Sequence, residues 1–447
     1  MKFIQPRVLV FWRNLLYTIV GQFGNDSTER STERSRRRLI AGLSLWQFTK
    51  LPYIHSRPIE NMKEIHDFIQ IFVQLWHEGL QDPPHTQAQT LEWLLEGYAQ
   101  TTYGQQHGAA NLLAFSNDPP RFFQAYRRAF PVVTYDTIKP WIERVASGQV
   151  EALLPEPPVA WAMTRGTTRG VSKRIPITEP DLGIRVAAAR GLLQHLLRTD
   201  QLDALEGYSL NLNYPSEMGT MDVAGKETSY GYSSGIYVRH AAEATPVNIL
   251  PAQQDIDALG GGDTPGAWER RFEMIYQKTK QAPITMCAGV CPSIIRFGNF
   301  VQRRHKVLPR DLWDMRVIAA TSIPGIHTTY KPALRALYGP VDVVEMYIAT
   351  EGAFAQQRDE RRLLVPNLDL YVLEVQMRGG QVKMLHEMRP GEYGSLVVST
   401  PVLPRYRIGD LLRAFDPPYF RCIGREGRST RLRYWLDGIM HLDFGRA

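Results

Sequence analysis

From Pro52 onward the apolar and polar positions follow the pattern of a folded chain, and the pattern changes character along its length. Leu91, Leu94, Leu95 and Tyr98 recur at i, i+3, i+4 and i+7 with Glu92 and Glu96 between them, which predicts an amphipathic helix. Such a stripe belongs to the core and carries no chemistry of its own. Further on, short runs rich in Val, Ile and Tyr, bounded by Gly or Pro, predict strands at 316–320, 341–347, 368–375 and 395–400. Helical patterns separate several of them, so the chain reads as α/β with at least one partly parallel sheet. The closer spacing from residue 368 predicts a more antiparallel C-terminal portion. Three glycines at 260–262 followed by Pro265 mark a surface loop.

Composition adds that 447 residues, 44% of them hydrophobic and 22% charged, suffice for a large core and are too mixed for a fibrous or wholly disordered chain. The net charge of +7 loses its apparent meaning once it is divided. Residues 1–50 hold nine Lys or Arg against three acids, and the remaining body holds 43 against 42. A near-neutral body without a basic run argues against nucleic acid as a partner.

The basic N-terminal extension has two parts. Residues 8–23 are apolar but interrupted by Arg13, Asn14 and Gln22, short of the roughly 20 apolar residues of a spanning helix. Residues 25–38 carry a tandem Ser-Thr-Glu-Arg repeat and then Ser-Arg-Arg-Arg, which reads as disordered. Together they suit weak contact with a membrane surface, although a frayed extension is the plainer reading, because one amphipathic segment binds membranes weakly. No convincing small-residue cleavage site follows the apolar stretch, so secretion is not expected. Cys287, Cys291 and Cys422 cannot build a disulfide framework, and the first two lack the CxxC spacing of zinc and redox motifs. A cytoplasmic setting, with at most peripheral membrane contact, fits best.

The most informative segment is Trp161-Ala-Met-Thr-Arg-Gly-Thr-Thr-Arg-Gly-Val-Ser-Lys-Arg-Ile-Pro-Ile-Thr178. Glycines let backbone N–H groups approach an anion, threonine hydroxyls donate hydrogen bonds, and Lys173 supplies a countercharge. The segment is not a Walker loop, since no Gly-Lys-Ser/Thr closes it. Taken alone it reads sooner as an ordinary polar hairpin turn before a helix opened by Thr178, Pro180 and Asp181.

Two downstream segments change that balance: Glu345-Met-Tyr-Ile-Ala-Thr-Glu-Gly352 at the end of a predicted strand, and Leu403-Pro-Arg-Tyr-Arg-Ile-Gly-Asp410. The order Thr-x-Gly-Thr-Thr-x-Gly-x-x-Lys, Tyr-x-x-Thr-Glu, Tyr-Arg-x-Gly-Asp resembles the adenylate-forming superfamily of acyl-CoA synthetases, luciferases and adenylation domains. The nearest branch is the Gretchen Hagen, auxin-responsive family of acyl-acid amido synthetases and its bacterial relatives. Thr101-Thr-Tyr-Gly-Gln-Gln-His-Gly108, Phe130-Pro-Val-Val-Thr-Tyr135, Ala146-Ser-Gly148 and Gly231-Tyr-Ser-Ser-Gly235 sit where that branch has similar stretches. The resemblance covers roughly residues 90–425.

The resemblance implies an α/β fold with the large multilayered N-terminal domain of the adenylate-forming type. It also implies ATP-dependent activation of a small carboxylic acid to acyl-AMP, with transfer to an amino acid or other amine. By position, Thr164, Gly166, Thr167, Thr168 and Lys173 would wrap the phosphates, Thr350 would bond the α-phosphate and Glu351 would hold Mg²⁺. Asp410 would bind the ribose diol, Arg425 the ribose or a phosphate, and Tyr347 would stack near adenine. Tyr232, Ser233 and Ser234 fall in the acyl-binding region. Each residue also has a plain reading: Glu351 as a solvated carboxylate at a helix start, Asp410 capping a turn, Arg425 paired with Glu426, Tyr347 in the core. A scattered histidine offers no rival, since His195 and Asp200 miss the HxxxD spacing of acyltransferases.

The sequence departs from the family in three places. Arg165 and Arg169 stand in the phosphate loop where small residues are usual, and an arginine there either clamps a phosphate or fills its space. The stretch 320–327 lacks the usual Gly-rich run before the Tyr-x-x-Thr-Glu motif. Finally, the C-terminal lid domain of the superfamily is expected to be absent or reduced to a stub. The expected division is a basic extension over 1–50, the large domain over 51–415 and a hinge-like stub over 416–447. A separately encoded lid is one expectation. A catalytically degenerate nucleotide- or acyl-binding protein acting through a partner is the alternative.

Overall fold

The helices of the first part begin where a side chain can satisfy the free backbone N–H groups of their opening turn. Asp82 accepts from the His85 amide at the head of helix Pro83–Tyr98, and Asp118 accepts from the Arg121 amide at the head of helix Pro119–Ala129. The predicted stripe Leu91, Leu94, Leu95 and Tyr98 is buried throughout. It packs on an antiparallel sheet of five strands in the spatial order Val382–Met384, Val372–Met377, Tyr393–Ser399, Tyr406–Ala414 and Phe420–Arg425. Polar groups lock the two layers together. Gln87 donates to the carbonyls of Leu368 and Tyr371 and accepts from the Leu373 amide, while the Tyr98 hydroxyl donates to the Thr400 carbonyl.

The computed structural model describes residues 62–164, 173–245, 247–260 and 264–427. The N-terminal extension, most of the glycine and threonine loop and the final 20 residues lie outside that set.

A seven-stranded sheet forms the second layer. Asn248–Leu250, Tyr208–Leu210, Ile284–Gly289, Val317–Thr321 and Asp342–Ala349 run parallel in that order, and Gly352–Gln356 and Val365–Pro366 add antiparallel at the edge. Helices Pro265–Thr279, Cys291–His305 and Lys331–Tyr338 contribute buried aromatic and aliphatic residues to its core. A smaller sheet of four strands, ordered Arg174–Ile177, Ala160–Met163, Lys226–Tyr232 and Gly219–Val223, completes the architecture. Among the described residues no helix is long and apolar enough to cross a membrane.

Three predicted strands lie within one or two residues of the observed ones. The strand predicted over 368–375 begins at Val372, because the apolar residues before it form a turn. The amides of Leu370 and Tyr371 close on the Asn367 carbonyl, and Gln87 and Thr90 take the Leu368 carbonyl. Burial without ladder pairing explains the mismatch. Gly260 ends helix Gln253–Leu259 with φ of +56°, where a loop was expected.

Candidate active site

Strands Ala160–Met163 and Arg174–Ile177 pair antiparallel and carry the phosphate-type loop between them. Its mouth is closed on both sides: the Thr164 amide donates to the Lys173 carbonyl at 3.0 Å, and the Lys173 amide donates to Thr164 Oγ1 at 3.1 Å. Gly166, Thr167 and Thr168, with Arg165 and Arg169, lie outside the described residues. The Lys173 ammonium donates to the Tyr406 hydroxyl at 3.3 Å and lies 5.1 Å from the centre of the Tyr135 ring.

The segment Gly231–Gly235 arrives at the same edge through strand pairing. Lys226–Tyr232 runs parallel to Ala160–Met163 with Met163 opposite Tyr232, so Thr164 and Ser233 leave neighbouring strand ends in the same direction. The two glycines of Gly231-Tyr-Ser-Ser-Gly235 are there because backbone passes too close for a side chain. A Cβ on Gly231 would fall 2.0 Å from the Ser216 carbonyl oxygen, and one on Gly235 2.2 Å from that of Tyr214. Tyr232 packs 4.7 Å from Tyr214, centre to centre. Ser233 and Ser234 open helix Ser233–Ala244, and the Ser233 hydroxyl lies 3.5 Å from that of Thr350.

Thr350 and Glu351 form a two-residue turn between strands Asp342–Ala349 and Gly352–Gln356, with Ala349 opposite Gly352. Glu351 is therefore no solvated carboxylate at a helix start; it is only 5% exposed. Burial raises its pKa, against the opposing pull of a backbone hydrogen bond, Arg425 and Lys173, and nearby Asp410 adds to the rise. Asp410 and Arg425, fifteen residues apart in sequence, are direct partners across adjacent strands. Arg425 Nε lies 3.0 Å from Asp410 Oδ1, and its Nη1 donates to the Ile408 carbonyl at 2.7 Å. The other Asp410 oxygen accepts from the Tyr347 hydroxyl at 2.7 Å. Burial raises the Asp410 pKa, with Arg425 and the Tyr347 hydrogen bond opposing. The Tyr347 ring is buried against Phe354, and its hydroxyl is the part that reaches the site.

Some participants carried no assigned role in the sequence reading. Tyr406 stands inside the quoted Tyr-Arg-x-Gly-Asp motif, and Tyr135 ends the quoted Phe130–Tyr135 stretch, so the signal lay in the motifs themselves. Val133 bridges to Tyr406, its amide bonding the Arg405 carbonyl, which brings Tyr135 beside Lys173. From the middle of strand Asp342–Ala349, Glu345 accepts from Ser322 Oγ at 2.5 Å and lies 3.0 Å from His327 Nε2. That clasp pins the stretch 322–327 just past the carboxyl end of strand Val317–Thr321.

The hairpin with its loop, the Thr-Glu turn and the Asp–Arg pair thus come from three different sheets. Residues 75–257 match the GH3 family N-terminal domain. It is 38% identical over 65 residues to the indole-3-acetic acid-amido synthetase GH3.15 of Arabidopsis thaliana, covering 14% of this chain and 11% of that protein. It is 30% identical over 108 residues to the jasmonoyl-L-amino acid synthetase JAR6 of Nicotiana attenuata, covering 24% and 17%. The aligned segments thus span less than a fifth of the length of these relatives. Among solved structures, the AtGH3.15 acyl acid amido synthetase in complex with 2,4-DB superposes with a TM-score of 0.63 at 18% identity, over 83% of this chain and 72% of that one. An open conformation of 2-hydroxyisobutyryl-CoA ligase in complex with 2-HIB-AMP and CoA gives 0.50 at 14% identity, over 85% and 82%.

Proposed function

We propose that the protein is an ATP-dependent ligase that converts a carboxylic acid to acyl-AMP and passes the acyl group to an amine. The observation that carries this reading is the convergence of Lys173, Tyr406, the Thr350–Glu351 turn and the Asp410–Arg425 pair beside the mouth of the phosphate-type loop. In the first step a carboxylate oxygen bonds to the α-phosphorus of ATP and the bond to the bridging oxygen breaks, releasing pyrophosphate. Little acid–base chemistry is required, so the protein's work is orientation and neutralisation of phosphate charge.

Lys173 supplies positive charge at the loop mouth, and Tyr406 and Tyr135 hold its ammonium there. We assign the ribose hydroxyls to Asp410, which is held from one side by Tyr347 and from the other by Arg425. Thr350 offers a hydroxyl to the α-phosphate, and Thr164 with Gly166, Thr167 and Thr168 forms the remaining phosphate contacts. Tyr232, Ser233 and Ser234 border the acid. Glu351 suits Mg²⁺, because a buried carboxylate with a raised pKa is relieved by a cation, and Mg²⁺ takes one or two carboxylates with substrate phosphates as its other ligands. When bound, the ion would neutralise phosphate charge. In the second step the amine nitrogen bonds to the acyl carbon, the bond to AMP breaks, and the nitrogen loses a proton. We place this activity in a reducing, cytoplasmic setting, in keeping with three cysteines that are all free thiols.

The nucleotide site is tested by melting the protein with and without ATP and Mg²⁺. A ligand at about 100 times its Kd adds about 2.7 kcal/mol to stability. The expected result is a raised melting temperature that Lys173→Ala removes; a folded protein with no shift contradicts the proposal.

A further inference from the structure

Arg185 lies on helix Glu179–Ala187, which follows the phosphate hairpin, and its guanidinium reaches the Thr350–Glu351 turn. Nη2 donates to the Thr350 carbonyl at 2.8 Å and Nη1 to the Ala349 carbonyl at 3.4 Å. Nε donates one helical turn back to Asp181 Oδ2 at 2.7 Å. The guanidinium also lies 4.1 Å from the centre of the Tyr237 ring, and the Tyr237 hydroxyl donates to the same Thr350 carbonyl at 3.2 Å. Tyr237 belongs to helix Ser233–Ala244, whose first residue approaches the Thr350 hydroxyl. One side chain therefore gathers the helix after the phosphate hairpin, the acyl-region helix and the turn.

The ion pair is poorly suited to being a mere stabiliser. The two side chains are 4% and 0% exposed, and Asp181 Oδ1 has no hydrogen-bond partner among the described residues. Taking two charges out of water is costly, and a well-packed apolar pair of similar volume often serves stability as well or better. An unpaired buried oxygen adds to that cost. An apolar pair lacks the planar fork of donors that spans two successive carbonyls. Fixing both carbonyls also fixes the direction of the Thr350 hydroxyl and the Glu351 carboxylate, and such small displacements decide rates in phosphoryl chemistry.

We infer that Arg185, oriented by Asp181 and backed by Tyr237, is a positioning residue that holds the Thr350–Glu351 turn in register with the nucleotide phosphates. The functional part of this inference rests on the adenylation reading; the clamping of the turn does not.

The test uses the full chain, the paired variant Asp181→Leu with Arg185→Met, and Tyr237→Phe. Each is followed by melting, by hydrogen exchange at the amides of residues 350–352, and by carboxylate-dependent exchange of pyrophosphate into ATP. The paired variant is expected to melt near the wild type and to exchange the turn amides faster with the rest of the sheet unchanged. Its kcat is expected to fall about 100-fold, the cost of a misplacement near 1 Å, with KM for ATP moving far less. Tyr237→Phe loses one hydrogen bond and is expected to lower kcat about 5-fold at unchanged melting temperature. If the paired variant fails to fold, Tyr237→Phe carries the decision: slower turnover with faster turn exchange supports the clamp, and no change in either overturns it. A folded paired variant with wild-type turnover and wild-type turn protection likewise overturns it. If the wild type shows no pyrophosphate exchange with any acid, the adenylation reading is lost and the clamp is decided by hydrogen exchange alone.

Discussion

Glu351 and Asp410 sit in surroundings that a surface carboxylate does not meet. Both are buried and both have raised pKa values, with burial as the leading cause. The consequence for the ligand-free protein has a definite sign. A carboxyl group whose folded pKa lies above its unfolded value adds stability at low pH, and that contribution is lost as pH rises from the ordinary carboxylate range through the raised value. Glu351→Gln removes a charge that the fold disfavours. Its urea midpoint is therefore expected to exceed that of the wild type at neutral pH, with the gap closing in acid; a gap that widens in acid would contradict the account. The same substitution is expected to abolish the Mg²⁺ dependence of ATP binding. The close approach of backbone at Gly231 makes a second prediction at this scale. Gly231→Ala forces a methyl group into the Ser216 carbonyl 2.0 Å away, so a loss of about 1–3 kcal/mol is expected, read as a lower denaturant midpoint.

At the scale of elements, the site depends on how helix Pro119–Ala129 is tied to the antiparallel sheet. Arg405, itself at φ of +45° and 3% exposed, donates from Nε and Nη2 to Glu374 and from Nη1 to the carbonyls of Arg127 and Phe130. Arg127 also pairs with Glu374 at 3.0 Å. This network sets the strand that begins at Tyr406 and the segment through Val133, and so places Tyr406 and Tyr135 on either side of Lys173. Glu374→Leu leaves the buried Arg405 without its carboxylate and is expected to cost about 3–5 kcal/mol, seen as a reduced denaturant midpoint. A change within about 0.5 kcal/mol would show that the network is dispensable.

Elements were also where the sequence was most and least readable. The helical stripe from Leu91 to Tyr98 follows from periodicity, because burial on one face imposes it, whereas the strands near 317, 342 and 393, buried on both faces, follow from runs rich in Val, Ile and Tyr. Leu368, Leu370 and Tyr371 are just as buried but lie in a turn held by Gln87 and Thr90 from 278 or more residues away, and no local pattern reports that. The motifs named Lys173, Thr350, Glu351, Asp410 and Arg425 as residues of one site, and the fold brings them together. The roles of Arg185 and Tyr237 arise from contacts 165 and 113 residues away in sequence, so their neighbours in sequence say nothing of them.

For the whole molecule, we propose that three sheets meet to form one site for activating a carboxylic acid with ATP. The match to the GH3 family N-terminal domain spans residues 75–257, yet Thr350, Glu351, Asp410 and Arg425 lie beyond it on the other two sheets. The decisive measurement is therefore one that needs all three at once: exchange of labelled pyrophosphate into ATP by the purified chain, driven by a panel of aromatic and fatty acids with Mg²⁺ present, with Glu351→Gln as control. The account predicts exchange that depends on both the acid and Mg²⁺ and that disappears in the control. A folded wild-type protein that exchanges with no acid in the panel, or whose exchange survives Glu351→Gln, would contradict it.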